Sequence, residues 1–199
     1  MSVIISGTTG IDTIQDNTVT SAKIVNDTIT NADLKTGDAY KMVKMTAVTC
    51  AGQTSIDFTG IPSWAKIITV SFNNISTSGA SIIQIQIGTG GTPTTTGYNS
   101  SAREFSTTVF QNNNATTGFI LCTDKAATDS QSGVFKLVNL TGNLWVASGN
   151  GQDLVYMMIQ SGFVTLTGAL DMVRLTTVNG IDTFDTTPSA GSINVMYEG

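Results

Sequence analysis

The chain of 199 residues contains no histidine. This absence excludes imidazole general bases and the Ser-His-Asp and Cys-His nucleophilic systems, and it removes the commonest ligand of zinc and iron. Most hydrolase and metalloenzyme mechanisms are therefore closed to this sequence. We expect neither a cofactor nor a metal site.

Charge and long hydrophobic runs are also scarce. Charged residues make up 12% of the chain, the formal net charge is −5, and the nine basic residues are scattered. Binding a phosphate backbone takes a concentrated basic face, so nucleic acid is not expected as a partner. The longest purely apolar run covers only residues 154–159, so neither a signal peptide nor a membrane span is expected, and we predict synthesis in a cytoplasm.

The chain has three prolines and two cysteines. Cys50 and Cys122 each lie in a strand-like stretch, where a free cysteine behaves as a small apolar residue, and we favour buried thiols over a disulfide. Thr, Ser and Asn, in contrast, make up about a third of the residues, beside 20 glycines. This composition indicates an all-β protein with many turns, because helices need more Glu, Lys, Arg, Ala and Leu.

The chain divides near residue 40, and the first segment, residues 1–39, contains an internal repeat. Residues 16–24 (DNTVTSAKI) align with residues 26–34 (NDTITNADL) at a period of ten. Apolar residues recur at every fifth position, namely Ile14, Val19, Ile24, Ile29 and Leu34. A spacing of five places these residues on one face of neither a continuous strand nor a continuous helix, so each repeat unit must bend. Each unit has too few apolar residues to bury them against itself and needs copies of itself or a partner. We expect a short intertwined trimeric stem, with a disordered polar leader as the alternative.

The second segment, residues 40–199, alternates short strands with turns. Residues 83–87 (IQIQI) alternate strictly, which predicts a half-buried strand. The other predicted strands are residues 41–48, 65–72, 105–110, 118–123, 134–140, 144–148, 154–160, 169–178 and 193–197. Tight turns are predicted at Thr141-Gly142-Asn143 and, of the hairpin type, at Asn179-Gly180. About ten strands joined in this way predict an antiparallel, jelly-roll-like β-sandwich head.

Five stretches of the second segment form a recognisable set: residues 59–70 (TGIPSWAKIITV), 85–88 (IQIG), 168–180 (GALDMVRLTTVNG), 183–185 (TFD) and 191–195 (GSINV). Together they resemble the C-terminal domains of bacteriophage tail-fibre proteins. The resemblance covers most of residues 50–199. It implies a homotrimer, an N-terminal end that docks on the virus particle, and a distal β-rich head that faces a receptor. The stem is short for a tail fibre, which leaves a capsid-attached fibre open.

Two polar loops, residues 88–101 and 111–118, are predicted on this head, and loops on a rigid sandwich often carry recognition. Tyr98 is the best candidate for an exposed aromatic side chain, with Asn99 beside it, although a plain solvated loop fits as well. Amide groups that suit hydroxyl-rich ligands are offered by Asn112, Asn113 and Asn114. Turn formation, which asparagine favours, is their alternative role.

Two tryptophans and three aspartates are further candidates for a sugar-binding, catalytic or calcium site. Trp64 and Trp145 could stack on sugar rings, but their strand positions favour packing in the core. Asp171, Asp182 and Asp185 are close in sequence, yet glycoside hydrolysis needs two carboxylates that face each other, and a calcium site needs six to eight oxygens. The sequence indicates neither arrangement, so we do not expect an enzyme.

These observations predict a non-enzymatic structural fibre protein of a bacteriophage virion. Its N-terminal segment would attach to tail, baseplate or capsid proteins, and its head would bind a glycan or a protein on the host surface. One alternative is a capsid-decorating fibre without a receptor. A tailspike-type enzyme that degrades polysaccharide is the other.

Overall fold

The computed structural model describes residues 41–106, 108, 110–124, 126–153, 156–186 and 190–199. The chain divides into two units, residues 1–39 and 40–199, and the description concerns the second unit. The predicted stem residues Ile14, Val19, Ile24, Ile29 and Leu34 lie outside the described residues. The trimeric stem therefore remains a prediction.

The described residues form fourteen strands and no helix. The strands are β1 (Met42–Lys44), β2 (Val48–Thr49), β3 (Ser55–Thr59), β4 (Ile67–Ile75), β5 (Ile83–Thr89), β6 (Thr92–Pro93), β7 (Asn99–Phe105), β8 (Phe110–Ala115), β9 (Phe119–Ile120), β10 (Gln131–Thr141), β11 (Leu144–Gln152), β12 (Met157–Thr165), β13 (Met172–Thr177) and β14 (Ser192–Glu198).

These strands make two antiparallel sheets. The larger has nine strands in the order β1-β14-β4-β10-β11-β12-β7-β8, with β2 also paired to β14. The smaller has five strands in the order β3-β13-β5-β6, with β9 also paired to β5. The prediction of an all-β, antiparallel, sandwich-like fold is confirmed.

The core lies between the inner faces of the two sheets. Alternation along β4 turns Ile68 and Val70 inward, and the smaller sheet contributes Ile85 from β5 in the same way. Phe119 of β9 and Phe135 of β10 meet across the sheets, with ring centroids 5.5 Å apart. One apolar cluster thus holds both layers together.

Glycines on the inner face of the larger sheet make room for these rings. A Cβ atom at Gly149 would lie 2.5 Å from Cδ2 of Phe135, and one at Gly162 would lie 3.0 Å from the ring of Phe119. Real Cβ atoms do not approach a neighbour to 2.5 Å, and few approach one to 3.0 Å, so a side chain at either position would force the packing to shift. Gly149 and Gly162 therefore leave the space that the rings of Phe135 and Phe119 occupy in the core.

Both cysteines are free and buried, which confirms the prediction of thiols. Burial raises the pKa of Cys50 from its usual value near 9 to about 12. The Cys50 thiol thus stays protonated at neutral pH, which disfavours the thiolate, the reactive form of cysteine.

The strand predictions hold in outline, but β3 is not among the predicted strands, and the stretch predicted at residues 41–48 forms two short strands, β1 and β2. Three further stretches also differ. Residues 105–110 are predicted as one strand, but β7 ends at Phe105 and β8 begins at Phe110, and the rings of these two paired residues stack with centroids 6.2 Å apart. Residues 111–118 were expected as a loop, but most of them belong to β8. Residues 83–87 form a strand that is buried on both faces, not on one.

Among the turns, Gly142-Asn143 joins β10 to β11 as predicted, with Gly142 at a positive φ of 51°. Asn179-Gly180 also forms a turn, closed by a hydrogen bond from the amide of Gly180 to the carbonyl of Thr177. It follows β13 but does not connect two paired strands, so the expected hairpin is wrong. The loop predicted at residues 88–101 contains β6 and the start of β7.

Candidate functional site

Tyr98 is buried, with 3% of its surface exposed, so the prediction of an exposed aromatic side chain is wrong. Its hydroxyl accepts a hydrogen bond from the amide of Ile87 at 2.8 Å and donates one to the carbonyl of the same residue at 3.1 Å. The ring packs edge-on against Phe119, with centroids 4.9 Å apart. Burial raises the pKa of Tyr98 far above its usual value, and the bond to Ile87 offsets only part of this effect.

The position of Ile87 in the smaller sheet explains this arrangement. Strand β6 pairs with β5 at Gly88 and Thr89, and β9 pairs with it at Gln84 and Ile85. Ile87 falls between the two short partner strands, and a buried backbone amide without a partner is costly. The carbonyl of Ile87 also accepts a hydrogen bond from the amide of Thr94 at 3.0 Å, whereas its amide has the Tyr98 hydroxyl as its partner. Tyr98 is therefore a structural residue.

Asn113 is the second predicted site residue that turns out to be structural. Its Nδ2 donates to the carbonyl of Thr123 at 2.8 Å, and its Oδ1 accepts from the amide of Asn114 at 2.8 Å. Asn113 is also partly buried, unlike its two neighbours on β8. Its expected role in ligand binding is therefore not supported by its position.

The other three asparagines share one exposed surface, which we call the amide strip: Asn99, Asn112 and Asn114. All three side chains are exposed and lie on the outer face of the larger sheet, at its β7–β8 edge. Asn112 lies opposite Arg103, and Asn114 lies opposite Ser101, two residues along β7 from Asn99. Antiparallel pairing, not a loop, brings these amides together.

Apolar side chains adjoin the amide strip at both ends. Phe163 of β12, 46% exposed, is the cross-strand partner of Asn99. Phe110, 72% exposed, lies at the start of β8, and the Arg103 guanidinium is 5.8 Å from its ring centroid. From Phe163, an apolar row of cross-strand neighbours continues through Val146 and Val138 to Ile67. Amides flanked by aromatic rings match both the hydroxyl groups and the apolar faces of a sugar.

Neither tryptophan is a free stacking platform. Trp145 is only 3% exposed, which confirms its expected place in the core. Trp64 is partly buried and packs against Tyr197 with ring centroids 5.5 Å apart, while Nζ of Lys41 lies 5.9 Å from its ring centroid. Core packing thus accounts for Trp145, and contacts with its neighbours occupy Trp64.

The carboxylates considered for catalysis hold loops in place. Both oxygens of Asp171 lie 3.1 Å from the amide of Gly91. Asp182 accepts hydrogen bonds from Nδ2 of Asn179 and from the amide of Ser81, and these two bonds lower the pKa of Asp182. Each of the two carboxylates therefore has a structural task in its own loop.

The described residues include no cluster of three or more His, Cys, Asp and Glu side chains that could hold a metal ion. They also include no helix long and apolar enough to cross a membrane.

The sequence analysis missed a polar groove on the outer face of the smaller sheet. Gln84 and Gln86 of β5 line it, together with Arg174 and Thr176 of β13 and Thr117 from the β8–β9 connection. The two glutamines are 2% and 5% exposed, although they alternate with inward isoleucines. Two amides in one strongly apolar strand were the signal for this groove.

In comparisons with known proteins, no family model, curated protein or solved structure matches this chain.

Proposed function

We propose that this chain is a non-enzymatic fibre protein of a bacteriophage virion that binds a glycan on the host surface through its β-rich head. The observation that carries the proposal is the amide strip, which lies exposed beside Phe163 and Phe110 on one rigid sheet face. The likeness of residues 59–70 and 168–180 to tail-fibre domains supports the viral assignment. In this proposal, residues 1–39 attach the chain to tail, baseplate or capsid proteins.

The topology of the larger sheet supports a division between attachment and recognition. The described chain begins at Lys41, just before β1, which forms one edge of this sheet. The amide strip lies at the opposite edge, on β7 and β8, which are six and seven inter-strand steps of about 4.8 Å from β1. The edge that carries the amides is therefore remote from Lys41.

Trimerisation would make a weak contact sufficient. An exposed face without a deep cavity holds a single sugar weakly, because little of the ligand is removed from water. Three such faces on one axis convert later contacts into intramolecular ones, and avidity can then exceed the single-site affinity by about two to four orders of magnitude. A homotrimer therefore fits the proposed site.

Binding of the fluorescently labelled full chain to a panel of bacterial strains tests the proposal. We expect binding to some strains, lost when their surface polysaccharide is removed, and weakened about tenfold or more in the variant Asn112→Ala/Asn114→Ala. Gln53→Ala removes an exposed amide outside the strip and serves as the matched control.

Absence of binding to every strain would contradict the proposal and favour a decorating fibre. Equal binding by the strip variant and the control would also contradict it, because the amide strip would then contribute nothing. A fall in polysaccharide viscosity on mixing, lost in Asp171→Asn, would replace it with an enzymatic function.

A further inference from the structure

The polar groove on the outer face of the smaller sheet is separate from the amide strip, which lies on the larger sheet. It has a volume of about 380 Å3, within the range of roughly 300–1,000 Å3 of small-molecule sites. Gln84, Gln86, Arg174 and Thr176 project from adjacent strands β5 and β13, and exposed Thr95 also lines it. A concave site of ligand size is thus built on a rigid sheet.

The polar groups of the groove are fixed before any ligand arrives. Nε2 of Gln86 donates to the carbonyl of Thr117 at 2.8 Å, and the Thr117 hydroxyl donates to Oε1 of Gln84 at 3.0 Å. The Thr176 hydroxyl donates to the carbonyl of Thr54 at 2.9 Å. Because the side chains are already ordered, a ligand does not have to immobilise them on binding.

These bonds leave hydrogen-bonding capacity unused. A glutamine amide has two N–H donors and an oxygen with two lone pairs. Among the described residues, no group donates to Oε1 of Gln86, and its Nε2 has a single partner. The hydroxyl oxygens of Thr117 and Thr176 can still accept hydrogen bonds, since each is described only as a donor. Donors and acceptors are thus mixed, as a hydroxyl-rich ligand requires.

The charge of the groove excludes strong selection for an ionic ligand. Arg174 is the one charged residue among the described residues that line it. Its Nε and Nη2 atoms each lie 2.6 Å from a carboxylate oxygen of Asp57, so the pair is neutral overall. The lining also includes no aromatic ring in the described residues. Recognition here would therefore rest on hydrogen bonds rather than on charge or stacking.

We propose that this groove is a second binding site, which takes a neutral saccharide unit through the amide of Gln86 and the hydroxyls of Thr117 and Thr176. The site does not depend on the viral assignment or on the amide strip. A carbohydrate-binding chain of any origin could carry it.

Saturation-transfer NMR on the full chain tests the groove with D-glucose, D-galactose and N-acetyl-D-glucosamine as probes, and with D-glucuronate as the acidic counterpart of glucose. We expect transfer to at least one neutral sugar and no preference for glucuronate. Thr95→Tyr fills the groove from an exposed loop position and should weaken binding about tenfold. Thr96→Tyr, at the next exposed residue outside the lining, is the matched control and should bind as wild type.

Gln86→Met, which removes the amide but keeps the side-chain length, should weaken binding as well, and circular dichroism checks that each variant is folded. No transfer to any neutral sugar would overturn the proposal, as would equal binding by the Thr95 and Thr96 variants or transfer to glucuronate alone. Asn112→Ala/Asn114→Ala should keep the sugar signal. The cell-binding experiment therefore tests the amide strip, and the NMR experiment tests the groove, so that either proposal can fail without the other.

Discussion

At the scale of single residues, the Tyr98 hydroxyl completes the hydrogen bonding of the smaller sheet. Tyr98→Phe keeps the ring against Phe119 but leaves the buried amide of Ile87 without its partner. We expect a loss of about 1–3 kcal/mol in the free energy of unfolding, measured by urea titration. Tyr156→Phe is the control, because the hydroxyl of Tyr156 forms no hydrogen bond with the residues that the structure describes. An equal effect of the two changes would contradict this role of Tyr98.

Glu104 is a second residue whose role shows only in the structure. It is 2% exposed, and its carboxylate accepts a hydrogen bond from the amide of Thr123 at 2.7 Å. Burial raises the pKa of Glu104 above its usual value of 4.5, and the negative charges of Asp124 and Asp153 add to the effect. The folded state therefore disfavours the ionised form.

The sign of the pH dependence follows from this raised pKa. The folded state holds the Glu104 proton more tightly than the unfolded state does, so ionisation lowers stability as the pH rises from below 4.5 through the folded-state pKa. Glu104→Gln keeps an oxygen acceptor for Thr123 and removes the ionisation. We expect this variant to gain stability over wild type at neutral pH and to lose the gain in acid. Urea titrations across pH measure the difference; a gap that does not change with pH would refute the assignment.

The predictions for Tyr98 and Asn113 failed because the hydrogen-bond partners of these residues lie elsewhere in the chain and cannot be read from the local sequence. The polar stretch around Tyr98 indicates an exposed loop, but the Tyr98 hydroxyl is buried as the hydrogen-bond partner of the Ile87 amide. For Asn113, alternation along β8 decides its side, and this alternation could be read only once β8 was known to be a strand. The burial of Cys50, Cys122 and Trp145 was predictable, because such residues are usually buried. The two cysteines nevertheless lie just outside β2 and β9, not in strands as the sequence indicated.

At the scale of elements, β8 shows how pairing overrides propensity. Its sequence FQNNNA has few β-forming residues, and asparagine is depleted in strands. Pairing with β7 over the whole of Phe110–Ala115 nevertheless makes it a strand. It also ends the larger sheet, where exposed polar side chains discourage pairing with other chains. The error in the predicted loop thus has a physical cause.

Strand β5 was predicted as an element, but not its second buried face. The pattern IQIQI normally places glutamine in water. Here the connection after β8 covers the strand, and a Cβ atom at Gly118 would lie 2.6 Å from Oε1 of Gln84. The two glutamines of β5 indicated a polar face, but the groove itself could not be predicted, because Thr117, distant along the chain, forms part of its wall.

The glycine of β12 gives a prediction at this scale. In Gly162→Ala, the new Cβ would lie 2.4 Å from the carbonyl oxygen of Asn99 and 3.0 Å from the Phe119 ring, so β7 or the ring must move. We expect a loss of about 1–3 kcal/mol in the free energy of unfolding, measured by urea titration. Ser161→Ala, one residue earlier on the exposed face, should change it little. Equal stability of the two variants would show that β12 yields without cost.

At the scale of the whole molecule, the proposed fibre requires three chains in one particle. Light scattering after size exclusion should give three times the chain mass of 20.8 kDa. Ile24→Asp/Ile29→Asp places charge in the apolar repeat and should reduce the particle to single chains, while Lys23→Ser, at a polar position of the repeat, should leave it trimeric. A 20.8 kDa particle for wild type would remove the stem as an oligomerisation device.

The first and last described residues of the head, Lys41 and Gly199, are neighbours in space. Lys41 and Gly199 exchange backbone hydrogen bonds of 2.7 and 3.0 Å, so the last residue lies beside the point where the head begins. A fluorescent protein or an affinity tag fused after Gly199 would start next to Lys41, at the sheet edge opposite β8. Such fusions leave the amide strip unobstructed, and a short linker between the two ends would permit circular permutation of the head.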